Sequence, residues 1–199
     1  IDGLSYSPIN PTDAMKKGIA IVHQIISEGV IEDMTVYENL VIDRLCIGDS
    51  DIYFNRNKAK KAAKKIAEDL DLDLPLNSLT RDLSQAEKQL VAIARSMAHN
   101  PKILILDEPS SSLSSKETER LFALVEKLKK NNVSILYISH KMADIKRLSD
   151  KVIALRDGKI TGTFTKPINY NNAIASMLGK ELANIDFLQK QKGDKIIEF

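Results

Sequence analysis

The segment Ile103 to Pro109, which reads Ile-Leu-Ile-Leu-Asp-Glu-Pro, constrains the fold of this chain more than any other stretch. Its four consecutive aliphatic residues predict a strand buried on both faces, as in a parallel sheet covered by helices. Asp107 and Glu108 follow where that strand must end. The sequence therefore predicts a carboxylate pair at the rim of an α/β sheet.

A helix and a second strand are predicted directly after this pair. Ser114-Ser115-Lys116-Glu117 matches a capping box, apolar residues then recur at helical spacing, and Asn131-Asn132 ends the pattern. A β-rich run over 133–139 leads to His140. Parallel strands of a βαβ unit end at the same sheet edge, where open α/β sheets bind ligands. We expect Asp107, Glu108 and His140 to converge there, although each alone is also typical of an ordinary strand end.

The first hundred residues predict one short strand and a helical region. Ile19 to Val22 reads as a strand that follows a brief helix ended by Gly18, and Gln24 comes just after it. From residue 31 to about 100 the chain is predicted to be helical. One of these helices has an alanine-rich apolar stripe, and its lysines are predicted to form a solvated face: Lys58, Lys60, Lys61, Lys64 and Lys65.

A further helix is predicted to begin at Ser84. Ser84-Gln85-Ala86-Glu87 is a second capping box, and the apolar face is predicted at Leu90, Ile93, Ala94 and Met97. A helix N-terminus offers free N–H groups to an anion. Plain capping, with nothing bound, is the alternative interpretation.

The C-terminal part predicts a hairpin, a helix and a last strand. Lys151 to Arg156 and Lys159 to Phe164 flank an Asp157-Gly158 turn. Residues 171–178 predict a helix closed by Gly179, and 194–199 predict a strand.

Composition bounds the remaining possibilities. The chain has 199 residues, 43% of them hydrophobic, which is enough for one sizeable core with a smaller appended subdomain. The net charge of +2 indicates no polyanionic partner in particular, and the single cysteine, Cys46, excludes an internal disulfide. No apolar run approaches the ~18–20 residues that cross a bilayer, so membrane association is expected through a partner.

Five motifs in order resemble those of the ABC transporter ATPases over roughly residues 10 to 165. They correspond to the Q-loop, signature, Walker B, D-loop and H-loop: Gln24, Leu83-Ser84-Gln85-Ala86-Glu87-Lys88-Gln89, Ile103 to Pro109, Ser111-Ser112-Leu113-Ser114 and His140. The resemblance implies a P-loop NTPase fold of the RecA type, an α/β fold with a mostly parallel sheet and a helical subdomain. The core would comprise 1–30 with 101–165, and the helical subdomain 31–100.

The sequence that flanks these motifs is similar to the first ATPase domain of ribose/galactose-type sugar importers. It lies in four stretches: Pro11-Thr12-Asp13-Ala14, Gly18 to Gln24, Met34 to Leu40, and Met177 to Leu182. In that subfamily two ATPase domains lie in tandem, so residues 166–199 would be an extension and linker into the second. The resemblance implies an ATPase that powers monosaccharide import from the cytoplasmic face of the membrane. Its partners would be transmembrane permease subunits, the second ATPase domain and, indirectly, a sugar-binding protein, with no nucleic acid.

Carried over by position, the resemblance assigns roles around ATP and Mg²⁺. Asp107 would hold Mg²⁺ through water, Glu108 would polarise the attacking water, and His140 would contact the γ-phosphate. Gln24 would sense the metal and the water. The signature residues and the D-loop serines would reach ATP held by the opposing domain: Ser84, Gln85, Ala86, Glu87, Ser112 and Ser114. Such positioning and charge neutralisation is what phosphoryl transfer requires.

The sequence departs from the family pattern at three places. Gln85 and Ala86 stand where many members have two glycines, and Ser114 stands where an aspartate is common. No Gly-x-x-x-x-Gly-Lys-Ser/Thr loop occurs, and the aromatic residue that stacks on adenine is also missing. The chain therefore resembles a domain truncated at both ends. We expect these residues alone not to bind or hydrolyse ATP tightly, and we expect a hydrophobic surface where a strand is missing.

Two other functions fit the same motifs. One is an ABC ATPase that powers a system other than sugar import, and the other is a non-catalytic ABC-like module that acts by docking. In the family the permease would contact the region from Val30 to Leu45. The apolar positions Val36, Leu40 and Val41 are equally typical of a plain core helix.

Overall fold

The computed structural model describes residues 1, 3–46 and 55–178, and these residues form two compact units that divide after His140. The predicted strand at 194–199, the closing Gly179, the end of the Met177 to Leu182 motif and the linker after residue 178 lie outside the described residues. No helix in the described ranges is both long enough and apolar enough to span a bilayer.

The first unit contains a parallel three-stranded sheet. Its strands are β1 (Ile19–Val22), β2 (Ile103–Asp107) and β3 (Ser134–Ile138), in the spatial order β1-β2-β3. The helix α6 (Ser115–Lys130) connects β2 to β3. The predicted βαβ unit is therefore confirmed. The remaining elements of this unit are α1 (Pro11–Lys16), α2 (Ile26–Gly29), α3 (Val36–Cys46), α4 (Arg56–Asp69) and α5 (Gln85–Ser96), with 3₁₀ turns at Thr80–Asp82 and Met97–His99.

The two faces of this sheet differ in burial. On one face Leu104 and Leu106 are fully buried. The register places Ile21, Ile105 and Leu136 side by side on the other face. There Ile21 is 48% exposed and Leu136 is 49% exposed. The prediction that β2 is buried on both faces is therefore wrong for one of them, while the predicted uncovered hydrophobic surface is confirmed.

The helical region is packed more completely. Leu40 of α3 and Val91 and Ile93 of α5 are fully buried, and α4 packs on α3 through its alanine-rich stripe. Asn39 of α3 is also buried: its side-chain amide accepts from Ile31 N at 2.7 Å and donates to Thr80 Oγ1 at 2.9 Å. The lysines of α4 lie on the solvent side, as predicted.

Helix α5 begins as predicted, but more of its circumference is buried. Ser84 is its N-cap, in a capping box with Glu87. Leu90 and Met97, predicted to be buried, are only partly so, while Lys88 and Gln89 are buried. The helix lies between other elements, because α2, α3 and β1 all contact it, so its interior side cannot be a single apolar stripe.

The second unit contains α7 (Met142–Leu148), a hairpin and α8 (Tyr170–Leu178). The hairpin pairs β4 (Lys151–Arg156) with β5 (Lys159–Thr165) in antiparallel register. Asp157 and Gly158 form its turn with positive φ angles of 52° and 72°. Such angles favour glycine and aspartate, which is why this turn could be predicted from the sequence.

Candidate functional site

The carboxyl ends of β1, β2 and β3 meet at one edge of the sheet. Val22 pairs with Leu106, and Asp107 pairs with Ile138, so all three strands end at the same level. The polar residues after each strand lie at this edge because the strands are parallel. Of the predicted site residues, Gln24, Asp107, Glu108 and His140 are placed there by the backbone.

Glu108 occupies a constrained backbone position immediately after β2. Its φ angle is +48°, in the left-handed region that non-glycine residues seldom adopt. Its N–H donates to Ile138 O at 3.0 Å, and its carbonyl accepts from Ser111 N at 3.1 Å. The strained residue is thus held by β3 on one side and by the following loop on the other. Strain of this kind often occurs at functional sites.

The Glu108 side chain contacts His140 directly. Its Oε1 accepts from the His140 backbone N at 3.0 Å and lies 2.7 Å from His140 Nδ1. Its Oε2 is buried and has no hydrogen-bond partner in the part of the chain that the structure describes. A buried carboxylate oxygen without a donor is costly, so this oxygen is suited to accept from a water or hydroxyl that enters the site.

Asp107 and Gln24 lie at the same edge but are less fixed. Asp107 is partly buried and shares the half-covered face of the sheet with Ile105, two positions earlier. Gln24 is exposed, and between the described residues no hydrogen bond joins its side chain to Asp107, Glu108 or His140. The structure therefore brings Glu108 and His140 into contact, with Asp107 adjacent in sequence, and leaves Gln24 nearby without a direct bond.

The predicted signature residues form the first turn of α5. Ser84 Oγ accepts from Glu87 N at 3.3 Å, and Glu87 Oε2 accepts from Ser84 N at 2.9 Å. Gln85 and Ala86 are helical residues in this turn, so neither position needs a glycine conformation. Their N–H groups have no acceptor within the helix, as at any α-helix N-terminus. The turn is capped by its own side chains and also presents backbone donors.

The D-loop serines lead into α6. Ser112 is exposed, and Ser114 caps α6 in a capping box with Glu117. Hydrogen bonds from the Ser114 hydroxyl and backbone N–H keep the pKa of Glu117 below its usual range. The starts of α5 and α6 border one small cleft, which is lined by Ser84, Ala86, Glu87, Gln89, Leu90, Leu113, Glu117, Arg120 and Leu121. Ser84 and the segment around Ser114 are therefore neighbours.

Sequence reasoning missed the ion pairs that fix α5. Lys88 is 8% exposed, and its Nζ lies 2.7 Å from Glu32 Oε1. Arg95 donates from Nε and Nη2 to the Asp43 carboxylate at 2.8 and 2.7 Å. Lys88 and Arg95 are seven positions apart and therefore lie on the same side of α5. Two cations on a side that is otherwise apolar are the sequence signal that could have indicated these ion pairs. They attach α5 to the segment between Gln24 and the end of α3.

The apolar positions proposed for permease contact belong to the core. Val36, Leu40 and Val41 are at most 1% exposed. The plain core interpretation of these three side chains is therefore correct. In the same segment Ile31, Glu32 and Asp33 are exposed, so a partner that contacts this region would meet them instead.

The residues at the sheet edge supply only part of a Mg²⁺ site, and a phosphate would have to supply further ligands. Among residues 1, 3–46 and 55–178 no three His, Cys, Asp or Glu side chains cluster as a complete metal site. Mg²⁺ is commonly held by one or two carboxylates, with phosphate oxygens and waters completing its shell. Asp107 fits that requirement, whereas the loop that would hold the phosphates is not in the sequence.

Comparison with known proteins gives a consistent result. The family model described as ABC transporter matches residues 2–111. The chain is 36% identical over 183 residues to the ribose import ATP-binding protein RbsA of Bacillus licheniformis, covering 92% of this chain and 36% of that protein. It is 36% identical over 171 residues to the galactose/methyl galactoside import ATP-binding protein MglA of Mannheimia succiniciproducens, covering 85% of this chain and 33% of that protein. The chain spans about a third of the length of these relatives.

Solved structures give the same fold. An ATP-binding cassette of an ABC transporter in its ADP conformation superposes with a TM-score of 0.68 at 23% identity, covering 89% of this chain and 71% of that one. A nucleotide-free cassette gives a TM-score of 0.68 at 22% identity, with the same coverage. At this level of identity the likeness shows the fold alone.

Proposed function

The chain belongs to the ABC transporter family, and from this premise we propose that it is part of an ATP-binding and ATP-hydrolysing subunit that powers import of a monosaccharide. The names of relatives at about 35% identity support a sugar of the ribose or galactose type. Because the chain spans only about a third of those proteins, their transport activity is carried over as a proposal.

One observation carries the catalytic part of the proposal, namely the geometry of Glu108. Its strained backbone is bound by β3 and by the following loop, its Oε1 accepts from the His140 backbone N–H, and its Oε2 is buried with no hydrogen-bond partner among the described residues. In this role Oε2 would accept a hydrogen bond from the attacking water. Phosphoryl transfer depends on an oriented nucleophile more than on covalent catalysis. The main role of Glu108 would therefore be to position the attacking water.

The neighbouring residues would complete the site. Asp107 would hold Mg²⁺ through water, Gln24 would contact the metal and the water, and His140 would reach the γ-phosphate. Bound Mg²⁺ would neutralise charge on the phosphates and on the oxygens of the displacement. The 72% exposure of the His140 side chain leaves it accessible to a nucleotide while Glu108 orients its ring.

The starts of α5 and α6 would serve a second ATPase domain. Ser84, Gln85, Ala86 and Glu87 would offer backbone N–H groups to ATP held by that domain, with Ser112 and Ser114 beside them. Their common cleft supports this pairing. In the same proposal the core comprises 1–30 with 101–165, the helical subdomain 31–100, and the linker 166–199.

The remaining partners follow from the same premise. Transmembrane permease subunits would hold the subunit at the cytoplasmic face of the membrane, and a sugar-binding protein would deliver the substrate to them. The phosphate loop is not in these residues, so we expect the 199 residues alone to bind ATP·Mg²⁺ weakly and to hydrolyse it negligibly.

A second function, a non-catalytic ABC-like docking module, would be favoured only if the natural gene contained no phosphate loop. Without a phosphate loop, Glu108 and His140 would be a structural pair. An ABC ATPase of a non-sugar system would retain the loop elsewhere in its assembly. The difference between these functions is therefore whether the Glu108 site works once phosphates are held beside it.

The proposed function is tested by adding the phosphate loop that these residues lack. A strand–loop–helix segment that contains Gly-x-x-x-x-Gly-Lys-Ser is joined to residues 1–199, and ATP binding and phosphate release are measured. We expect Glu108→Gln to retain binding and to lower hydrolysis by about 10²–10⁴-fold, as removal of a positioned base does. If Glu108→Gln and the wild-type chain hydrolyse ATP at the same rate in a folded, ATP-binding protein, the catalytic proposal is wrong.

A further inference from the structure

Gln24 belongs to a short linking segment, residues 23–28, between the sheet and the helical region. The segment starts after Val22, the last residue of β1, which is 4% exposed. His23, Gln24 and Ile25 are all exposed. In the part of the chain that the structure describes, no hydrogen bond joins the Gln24 side chain to the other residues of the sheet edge. The position of Gln24 therefore depends on what holds the two ends of the linking segment.

The far end of the linking segment is bound to the helical region. The carbonyl of Gly29 accepts from Arg95 Nη1 of α5 at 3.3 Å. Two positions later, Asn39 of α3 binds both backbone groups of Ile31: its Oδ1 accepts from Ile31 N at 2.7 Å, and its Nδ2 donates to Ile31 O at 2.9 Å. The chain that follows the linking segment is thus fixed to α5 and to α3.

Helix α2 approaches α5 so closely that Gly29 has no room for a side chain. A Cβ atom on Gly29 would lie 3.0 Å from the Cβ of Ala92. Carbon atoms in ordinary contact are about 3.5–4.0 Å apart, so an added methyl would move α2 away from α5 by about 0.5–1 Å. The φ angle of Gly29 lies outside the left-handed region that favours glycine. Glycine is therefore needed here for close packing and not for its backbone conformation.

A displacement of Gly29 reaches Gln24 through α2. This helix is a single turn, in which Glu28 N donates to Ile25 O at 3.1 Å. A displacement at one end of so short a turn moves its other end, and Ile25 is the residue next to Gln24. Val22 cannot follow, because it is paired with β2 in the sheet. The exposed residues between them must absorb the shift, and Gln24 is one of these.

We propose that Gly29, Ala92 and Arg95 are positioning residues that hold Gln24 at the sheet edge. The inference rests on the proposed function, in which Gln24 contacts the metal and the attacking water. The close contact of Gly29 with Ala92 sets the distance between α2 and α5, and the bond from Arg95 to the Gly29 carbonyl keeps α2 at that distance. All three residues act through Gln24. A misplacement of about 1 Å in such a group lowers a reaction rate by about 10²-fold.

Steady-state ATP hydrolysis by the protein joined to the phosphate-loop segment tests the proposal. We expect Gly29→Ala to lower kcat about 10–100-fold and to change KM less than about threefold, because Gln24 is misplaced while phosphate binding is not altered. Adding Ala92→Gly removes the methyl that the new one meets, and it should return kcat to within about threefold of wild type. Glycine is unfavourable inside a helix, so the double variant should unfold at a lower urea concentration than Gly29→Ala. A purely structural role would instead make activity follow stability.

Two comparisons connect the effect to Gln24. Gly162→Ala adds the same methyl in the hairpin of the second unit, where the new Cβ would lie 2.7 Å from the Phe164 ring. It should leave kcat within about twofold of wild type. In a Gln24→Ala background, Gly29→Ala is expected to lower kcat no further, because two changes that act through one residue are not additive. Additive losses, an equal loss in Gly162→Ala, or a failure of Ala92→Gly to restore kcat would overturn the proposal. If Gln24→Ala itself leaves kcat unchanged, the role that the proposed function gives to Gln24 is wrong.

Amide hydrogen exchange in residues 1–199, followed by NMR without nucleotide, gives a test that does not depend on hydrolysis. The Glu28 N–H closes the turn of α2 by its bond to Ile25 O. We expect Gly29→Ala to speed the exchange of this amide by about tenfold, because α2 loses its close packing on α5, and we expect Ala92→Gly to reverse the change. Unchanged exchange in Gly29→Ala would overturn the proposal, whatever the rate of ATP hydrolysis.

Discussion

The helical region and the sheet edge of the first unit differ in how completely their side chains are buried and hydrogen-bonded. In the helical region Leu40, Val91 and Ile93 are fully buried. Asn39 is fully hydrogen-bonded, and Lys88 and Arg95 are paired with acids. Two buried nitrogens of this region, Gln89 Nε2 and His99 Nε2, have no hydrogen-bond partner among the described residues. At the sheet edge Glu108 and His140 are positioned, but Glu108 Oε2 has no partner among the described residues and Ile21 and Leu136 are half exposed.

The difference separates the part of the first unit that stabilises the fold from the part that we expect to bind another component. Buried apolar side chains and paired polar groups, such as those around Asn39, Lys88 and Arg95, stabilise the helical region. A sheet edge with a strained residue, an unpaired carboxylate oxygen and an uncovered apolar face is suited to binding another component. We therefore expect the sheet edge, and not the helical region, to bind another component.

The largest difference in stability between the two regions is expected from a pair of leucine truncations. Leu40→Ala, in the helical core, is expected to lower the free energy of unfolding by about 3 kcal/mol, because a fully buried leucine leaves a cavity. Leu136→Ala, on the half-exposed sheet face, should lower it by less than about 1 kcal/mol. Urea unfolding followed by circular dichroism measures both. Equal losses would show that the sheet face is as well packed as the helical core.

A second test removes the ion pair that fixes α5. Arg95→Met is expected to cost about 2 kcal/mol at pH 7, because Asp43 is left partly buried without its main partner. The exposed pair between Arg81 and Asp33 is the control, and Arg81→Gln should change stability by less than about 0.5 kcal/mol. Similar costs for the two variants would contradict the difference in burial.

The same variant should change how stability depends on pH. Burial raises the pKa of Asp43, but hydrogen bonds and charge from Arg95, with a contribution from His99, outweigh it and lower the pKa below its usual value. The folded pKa is depressed, so this stabilisation is present above about pH 4 and is lost as the pH falls through the folded pKa. In Arg95→Met only burial and His99 remain. The difference from wild type should therefore shrink as the pH falls below about 4, and a constant difference would assign the loss to packing alone.

The smallest effects on stability are expected from variants of the two capping boxes. Ser84→Ala and Ser114→Ala should each lower the free energy of unfolding by about 1 kcal/mol, because each removes one side-chain cap of a helix N-terminus. Ser84→Thr and Ser114→Thr, which retain the hydroxyl, are the controls. If the alanine variants are as stable as wild type, the caps observed at both helix starts contribute nothing measurable.

Much of the fold could be predicted from the sequence because its signals are local. The capping boxes at Ser84 and Ser114, the aliphatic run before Asp107 and the Asp157-Gly158 turn each specify their own element. The ion pairs of Lys88 and Arg95 could not be predicted, because their partners Glu32 and Asp43 are more than 50 positions away in sequence. The incomplete burial of Ile105 was missed for a related reason, since it depends on what covers the sheet.

The candidate site was predictable in placement but not in geometry. A βαβ unit puts Glu108 and His140 at one edge, whichever side chains follow the strands. The positive φ of Glu108 and the buried state of its Oε2 depend on the turn itself. The catalytic roles of Gln24, Asp107, Glu108 and His140, and the nucleotide contacts of the signature and D-loop residues, stay predictions.

Equilibrium binding of ATP·Mg²⁺, measured by isothermal titration calorimetry, tests directly whether the sheet edge is an ATP site. It is made on residues 1–199 alone and on the same residues joined to the phosphate-loop segment. We expect a Kd weaker than about 1 mM for the former and at least about a hundredfold tighter binding for the latter, lost again in Asp107→Asn. Tight binding by residues 1–199 alone, or no binding by the folded, joined protein, would contradict the claim that this sheet edge is an ATP site completed by a phosphate loop.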